Sequence, residues 1–263
     1  MLWQAEVVPI PPVARTEPTL LTKHGVTRTD PYYWMNDRES EEVLQHLAAE
    51  NAHFDEVMAE NGELTETIYN EYLARIVQSD LSVPVRRGDF WYYVRTVEGL
   101  SYPIFARRVA SGDSTPPDLL NDSGEEIVFD ENVEAGSEEF FSAGNLAVSP
   151  DHQLLAYATD TEGSERYLLR FRRISDGSPI GSSISDTYYG LAWSNDARFV
   201  FYTRVDETMR PHQVWRHELS SSASDDVLVF QEDDARFSLS LGTSRDRRAI
   251  VVHLGSKTSS ECW

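Results

Sequence analysis

One pattern occurs three times in the second half of the chain and restricts the fold more than any other feature. A Ser-x-Asp triplet begins at Ser149, Ser194 and Ser244, and an apolar run starts three residues after each aspartate. The first two aspartates are 45 residues apart, and the second and third are 50 apart. Repeats of about 40 to 50 residues are typical of β-propeller blades. The pattern therefore predicts consecutive blades.

Each repeat supplies several strands around its Ser-x-Asp turn. One strand precedes the turn in "GNLAVS", "YGLAWS" and "FSLSLGTS", a second follows it, and the first two repeats add a third in "RYLLRFRR" and "QVWRHEL". Serine and aspartate side chains hydrogen-bond the backbone of tight turns. We therefore interpret the three serines as turn residues. A catalytic nucleophile occurs once in a chain, so we assign them no catalytic role.

A β-hairpin is predicted before the repeats. Two aromatic strands, Phe90 to Arg95 and Tyr102 to Arg108, are joined through a loop at Glu98. With the repeats, this hairpin predicts that residues 81–263 form an incomplete β-propeller of about three to four blades. The fold class is mainly β.

The first 80 residues have a different character. The proline-rich start favours extended backbone, and helical spacing follows in residues 37–62. One face of that segment is apolar and comprises Val43, Leu47, Phe54 and Met58. A second helix is predicted from Leu64 to Ile76, and Asn61-Gly62 is the predicted end of the first. We therefore predict that residues 1–80 form an N-terminal extension with two helices.

Charge limits the partners of this protein. The formal net charge is -21, from 44 acidic and 23 basic residues. Nucleic acids and anionic membranes are disfavoured, because phosphate binding needs clustered Lys or Arg. Residues 109–165 hold fourteen acidic residues and neither Lys nor Arg. The favoured interpretation is a solvated acidic surface; the alternative is a field that attracts positively charged peptides.

Motifs for catalysis, cofactors and metals are absent from the sequence. It contains no Gly-x-Ser-x-Gly, His-Glu-x-x-His, Cys-x-x-Cys or phosphate-binding glycine pattern. His46 and His53 lack further ligands at metal spacing, and Cys262 is the single cysteine. The carboxylates Glu232 to Asp234 point in different directions if that segment is extended. We assign no catalytic, cofactor-binding or metal-binding residue and expect no cofactor.

The N-terminal sequence and the cysteine content predict a cytoplasmic protein. Prolines interrupt the apolar helix that a secretion signal requires, and no apolar run approaches the roughly 20 residues of a membrane span. A single cysteine cannot form an internal disulfide, which fits a reducing compartment.

Six segments, in order along the chain, carry a resemblance to a known family. They are "HGVTRTDPYYWMNDR", "AEN" at 49–51, "SVPVRRGDFWYYVRTVEGLSYPIFARR", "SPDHQLLAYATDTEGSERY", "FYTRVDETMRPHQVWRHEL" and "EDDARF". Together they resemble the N-terminal part of the oligopeptidase B group, in the prolyl oligopeptidase family of serine peptidases. The resemblance runs from about His24 to Trp263.

The resemblance implies a fold and a function. Family members have an N-terminal extension that packs on a C-terminal α/β-hydrolase domain, with a seven-bladed propeller inserted between them. The family's serine, aspartate and histidine lie in the hydrolase domain, which this sequence lacks, so no family catalytic residue is carried over. The resemblance implies part of an endopeptidase that cleaves short peptides after basic residues. The alternative is a catalytically inactive propeller-type binding module.

The third repeat is shorter than the others, so we expect the gene to continue. DNA beyond codon 263 should encode further Ser-x-Asp repeats and then a Gly-x-Ser-x-Gly elbow followed by Asp and His. Sequencing that region tests this expectation. A stop codon followed by unrelated sequence would contradict it.

Overall fold

The computed structural model describes residues 9–110, 112, 115–116, 119 and 124–263 of the chain. The chain divides into two units, Met1–Val77 and Gln78–Trp263. Among the described residues, no helix is both long enough and apolar enough to cross a membrane.

The first unit contains a β-hairpin and two helices. The elements are β1 (Thr19–Lys23), β2 (Val26–Asp30), α1 (Glu41–Met58) and α2 (Gly62–Leu73), with 3-10 turns at Tyr33–Asn36 and Ala59–Asn61. The hairpin turn is His24-Gly25, and both residues have positive φ, as a two-residue hairpin turn requires. Glu41 and Glu42 occupy the first turn of α1, where the helix dipole favours negative charge.

The predicted ends of the two helices are wrong. Gly62 has a helical φ of -56° and begins α2, so Asn61-Gly62 does not terminate the helical segment. A short 3-10 turn connects the helices instead. Ile76 lies beyond the last residue of α2, because the chain after Leu73 tightens into bonds between residues three apart.

The described residues of the second unit form four antiparallel sheets, and in each sheet neighbouring strands follow one another in the sequence. The first is β3 (Val85–Arg87), β4 (Phe90–Arg95), β5 (Ile104–Val109) and β6 (Glu126–Asp130), followed by the short α3 (Glu131–Ala135). The second is β7 (Ser142–Val148), β8 (Leu154–Asp160), β9 (Tyr167–Arg173) and β10 (Ile184–Thr187). The third is β11 (Leu191–Trp193), β12 (Phe199–Val205), β13 (Pro211–Glu218) and β14 (Val227–Gln231). The fourth is β15 (Ser238–Thr243), β16 (Ile250–Gly255) and β17 (Ser260–Cys262).

These sheets are blades of a β-propeller, so the predicted fold class is confirmed. Strand alternation sends side chains to both faces of a blade. In β8, Leu155 and Tyr157 join the apolar cluster shared with the first blade, whereas Ala156 and Ala158 join the cluster shared with the third. A blade is thus buried between its two neighbours.

Three apolar clusters lie between successive blades. Phe129, Leu155 and Tyr157 pack between the first and second blades. The larger cluster between the second and third blades contains Tyr167, Leu169, Phe171, Trp193, Val200 and Tyr202. Val214 of the third blade packs with Leu239, Val252 and Leu254 of the fourth.

The three Ser-x-Asp turns have the same geometry, which confirms their interpretation as turn residues. The hydroxyl of Ser149 donates to Asp151 Oδ1 at 2.5 Å and accepts the backbone N–H of Leu154 at 2.9 Å. The turns at Ser194 and Ser244 repeat both bonds. The residue after each aspartate has positive φ, at His152, Ala197 and Arg247.

The sequence did not predict the outer strands β10 and β14. The segment "ISDT" of β10 is short and has three polar residues, yet Ile184 and Thr187 are buried. β14 is apolar but its residues are largely exposed at the outer edge of the sheet. Neither strand follows one of the three Ser-x-Asp turns. Their strand conformation is seen only in the structure, where each pairs with the strand before it.

A buried polar group joins the strands of the third blade. Asp226 accepts the Tyr202 hydroxyl at 2.8 Å, and its second oxygen lies 2.6 Å from His217 Nδ1. The side chains of His217 and Asp226 are 0% and 2% exposed. The His217 ring stacks on Phe171 of the second blade, with 5.4 Å between ring centroids. This group therefore connects strands within the third blade and also contacts the second blade.

We predict that Asp226→Ala lowers the free energy of unfolding by about 3 kcal/mol, because it leaves a buried histidine and hydroxyl without their acceptor. Denaturant unfolding followed by circular dichroism measures the change. The control Asp225→Ala removes an exposed carboxylate beside it and should change stability by less than about 0.5 kcal/mol. Equal effects of the two variants would contradict the role of the buried group.

Candidate functional site

The first strands of the four blades contribute residues to one groove. β11 contacts both β7 and β15, and each first strand is at the edge of its sheet. The groove has a volume of about 180 Å³ and takes residues from all four blades. It is lined by Arg87, Asn145, Leu146, Ala147, Val148, Pro150, Leu191, Ala192, Trp193, Thr243 and Arg247. We call it the axial groove.

The charge of the axial groove is opposite to that of the whole chain. Its lining residues include two arginines, Arg87 and Arg247, and no Asp or Glu. Arg87 ends β3 in the first blade, and Arg247 lies in the β15–β16 turn of the fourth. The groove is therefore a local positive site in a protein with a formal net charge of -21.

A polar cluster at the Ser149 turn holds the first two blades together beside the groove. Arg107 of β5 is nearly buried, pairs with Glu126 at 2.9 Å, and donates to the backbone carbonyl of His152. The Tyr92 hydroxyl lies 2.8 Å from His152 Nδ1. A Cβ added to Gly88 would lie 2.7 Å from His152 Nε2, so only glycine fits there.

Two titratable side chains of this cluster have shifted pKa values. Burial lowers the pKa of His152, and the positive charges of Arg247 and Arg107 lower it further. Burial raises the pKa of the Tyr92 phenol. Both side chains are thus favoured in their neutral forms. The negative charges of Asp151 and Asp89 act on His152 in the opposite direction, but less strongly than the two arginines.

An apolar cavity of about 240 Å³ adjoins the axial groove. It lies between the first and second blades and shares Arg87, Leu146 and Val148 with the groove. Val85, Phe105 and Leu155 also line it. An apolar pocket beside a few polar groups is the usual form of a small-ligand site.

The residues considered at the sequence level do not meet in one site. The hydroxyls of Ser149, Ser194 and Ser244 each bond an aspartate and a backbone N–H within their own turns. His46 lies 3.6 Å from Glu50 on α1, and Cys262 is exposed on β17. The carboxylates after β14 have separate contacts: Glu232 with the Asp234 backbone, Asp233 with Gln231, and Asp234 with Arg236. Within the described ranges, no three His, Cys, Asp or Glu side chains are grouped as for a metal ion.

Much of the acidic run at 109–165 forms internal contacts. Asp113, Asp118 and Asp122 lie outside the described residues. Glu125 accepts the Tyr93 hydroxyl at 2.7 Å and pairs with Arg95. The remaining internal contacts are Glu126 with Arg107, Asp130 with the α3 backbone, Glu134 with Arg172, and Asp160 with backbone N–H groups of its loop. These carboxylates stabilise the blades, so the run is not simply a solvated surface.

Arg87 and Arg247 were not singled out from the sequence. Alignment of the three repeats could have drawn attention to Arg247. The residue after the aspartate is His152 in the first repeat, Ala197 in the second and Arg247 in the third, so only the third repeat has an arginine at this turn position. Only the folded chain shows that a residue of the fourth blade and one of the first line the same groove.

Antiparallel blades arranged around a shared groove define this class of protein as a β-propeller. Residues 11–263 match the family model described as "Prolyl oligopeptidase, N-terminal beta-propeller domain". The chain belongs to the prolyl oligopeptidase family.

Relatives with known names are peptidases. The chain is 38% identical over 260 residues to dipeptidyl aminopeptidase BI of Pseudoxanthomonas mexicana, a match that covers 95% of this chain and 36% of that protein. It is 37% identical over 252 residues to protease 2 of Moraxella lacunata, again covering 95% of this chain and 36% of the relative. The chain thus spans little more than a third of these relatives.

Solved structures of oligopeptidase B have the same fold. The Leishmania major enzyme matches with a TM-score of 0.85 and 31% identity, covering 96% of this chain and 37% of that one. Oligopeptidase B from Trypanosoma brucei, in a closed form with covalently bound antipain, matches with a TM-score of 0.83, 31% identity and the same coverage. The resemblance to oligopeptidase B is therefore confirmed.

One buried carboxylate beside the first blade was also missed from the sequence. Glu131 begins α3 and is 8% exposed. Burial raises the pKa of Glu131 to about 7, and the negative charge of Asp130 adds to the effect. A carboxyl whose folded pKa exceeds its unfolded value stabilises the fold below the unfolded pKa, near 4.5. That stabilisation is lost as the pH rises through about 7.

We predict that Glu131→Gln is more stable than the parent by about 1 to 3 kcal/mol at pH 8 and that the difference shrinks towards pH 5. The amide has no charge to bury at high pH. Denaturant unfolding at pH 5, 6, 7 and 8 measures the difference. Glu138→Gln, an exposed change three residues after α3, is the control and should follow the parent. Parallel pH curves for Glu131→Gln and the parent would exclude the proposed titration.

Proposed function

We propose that this chain is the propeller-bearing part of an oligopeptidase B-like serine endopeptidase, which hydrolyses short peptides after basic residues. The observation that carries this proposal is the match to oligopeptidase B over 96% of the chain at a TM-score of 0.85. The names of the two curated relatives, an aminopeptidase and a protease, support peptide hydrolysis. They leave the cleavage pattern open, so specificity for basic residues rests on the resemblance to oligopeptidase B.

In this proposal, the catalytic serine, histidine and aspartate belong to an α/β-hydrolase domain on which the N-terminal extension packs. The surfaces of the helices support such a partner. The exposed apolar side chains on α1 and α2 include Leu47, Phe54, Leu64, Ile68 and Tyr72, all at least 45% exposed. Apolar faces of this kind usually mark a site of interaction.

The propeller has the role of gating access in this proposal. Its axial groove has a volume of about 180 Å³ and is bordered by strand edges, which suits an extended peptide better than a folded protein. The net charge of -21 supports attraction of basic peptides through a long-range field. Such steering is weakened by salt. The single cysteine supports a cytoplasmic location.

A second candidate function is peptide binding without cleavage. The observation that favours it is the state of the repeated serines, whose hydroxyls are all held in turns. The two functions differ in whether the chain gains activity when it is joined to a hydrolase domain.

We predict that the purified 263-residue chain does not hydrolyse an arginyl reporter peptide, because it has no activated nucleophile. A chimera in which this chain replaces the matching segment of the Moraxella relative should hydrolyse that reporter. It should do so in preference to the matching alanyl reporter, and a serine-directed inhibitor should abolish the activity. Fluorescence release measures the turnover.

Two results would count against the proposed function. One is a chimera that folds, as judged by circular dichroism and gel filtration, but hydrolyses neither reporter. The other is turnover by the isolated chain that persists through repurification and is abolished by the inhibitor.

A further inference from the structure

Two cations of the axial groove have no ion-pair partner in the part of the chain that the structure describes. Arg87 and Arg247 form no ion pair with any carboxylate of the described residues. The Arg87 guanidinium lies 5.7 Å from the centre of the Tyr92 ring, a contact that leaves its N–H donors available. Several other arginines of the blades have partners, such as Arg107 with Glu126 and Arg172 with Glu134. The two groove arginines therefore differ from them.

Asp89, Asp151 and Asp246 lie in turns beside the groove but do not line it. Asp151 and Asp246 each accept a serine hydroxyl and a backbone N–H inside their turns. Asp89 lies in the β3–β4 turn and is not among the residues that line the groove. An anion that enters the groove thus meets two guanidinium groups and, among the described lining residues, no carboxylate.

The charge of Arg247 acts on a neighbouring part of the propeller as well. His152 belongs to the second blade, yet the positive charge of Arg247, from the fourth, lowers its pKa. Arg247 therefore lies close enough to the second blade to act on His152. Arg87 approaches the same groove from the first blade. The two cations reach it from opposite ends of the run of blades.

The strand edges supply a second kind of contact. β3, β7, β11 and β15 are edge strands, so one row of their backbone N–H and C=O groups has no partner within the sheet. Extended peptides bind such edges through main-chain hydrogen bonds. Arginine in turn binds carboxylates in a bidentate geometry, which fixes both position and direction.

We propose that the axial groove binds a carboxylate of a peptide between Arg87 and Arg247. The inference rests on the proposed function and extends it. In the proposed function, a basic side chain of the peptide is recognised at the site of cleavage; the inference adds a carboxylate of the same peptide, bound in the axial groove. The anchor is either the C-terminal carboxylate or an acidic side chain, since both present the same group. The favoured substrate class is therefore a short peptide that carries both signs of charge.

The first test is calorimetric titration of the purified 263-residue chain with three N-acetylated hexapeptides of glycine, serine and alanine. One has a free C-terminal carboxylate, one has a C-terminal amide, and one has the amide and a single internal glutamate. We expect the free-carboxylate peptide, the glutamate peptide or both to bind about tenfold more tightly than the neutral amide. The peptide that gains affinity identifies the source of the carboxylate.

Variants tie this preference to the groove. Arg87→Gln and Arg247→Gln should each remove most of the tenfold preference for a carboxylate and leave binding of the neutral amide unchanged. Arg247→Lys keeps the charge and should retain part of the preference. The matched control is Arg198→Gln, which removes the same charge from the equivalent turn of the third blade, where Arg198 is exposed and pairs with Glu218. Circular dichroism confirms folding of each variant.

Several outcomes would overturn the inference. They are equal affinity of the parent for all three peptides, no binding of any peptide by the folded parent, or loss of the preference in Arg198→Gln to the same extent as in the groove variants. None of these measurements needs catalysis. A chimera that cleaves the arginyl reporter while the parent shows no carboxylate preference refutes the inference alone. A carboxylate preference with an inactive chimera supports the inference and refutes the proposed cleavage.

Discussion

Burial of each blade against the next is the interaction on which the rest of the propeller depends. A four-stranded antiparallel sheet has two faces, and one sheet alone cannot remove both from water. In the second blade, Leu155 faces the first blade and Phe171 faces the third, and both are nearly inaccessible to solvent. At roughly 25 cal/mol per Å² of buried apolar surface, these contacts are the main contribution to stability. Each blade therefore packs against the blade that precedes it in the sequence.

Stacking of the blades also creates the axial groove. Residues of the first strands line it, together with Pro150 and Arg247 from the turns that follow β7 and β15. The Ser-x-Asp bonds hold these turns in one conformation. Among the described residues, the lining of the groove contains Arg87 and Arg247 and no carboxylate, although the chain as a whole is strongly acidic.

The acidic run shows how tertiary contacts change the meaning of a composition. Glu125, Glu126 and Glu134 pair with arginines from other strands, and burial raises the pKa of Glu131 to about 7. Sequence position does not reveal these partners, because Arg95, Arg107 and Arg172 lie outside the run and reach it only through strand pairing and blade stacking. The sequence also did not determine the role of Gly62. Glycine permits the left-handed conformation that ends many helices but does not require it, and Gly62 begins α2.

The sequence by itself determined the repeat, the strands around each Ser-x-Asp turn and the family, because these depend on local hydrogen bonding, on alternation and on segments that keep their order along the chain. It indicated correctly that Ser149, Ser194 and Ser244 are turn residues. Only the tertiary structure decided the outer strands β10 and β14, the partners of the acidic residues and the approach of Arg87 and Arg247 to one groove. These features depend on contacts between residues up to 160 positions apart, and such contacts exist only once the blades have stacked.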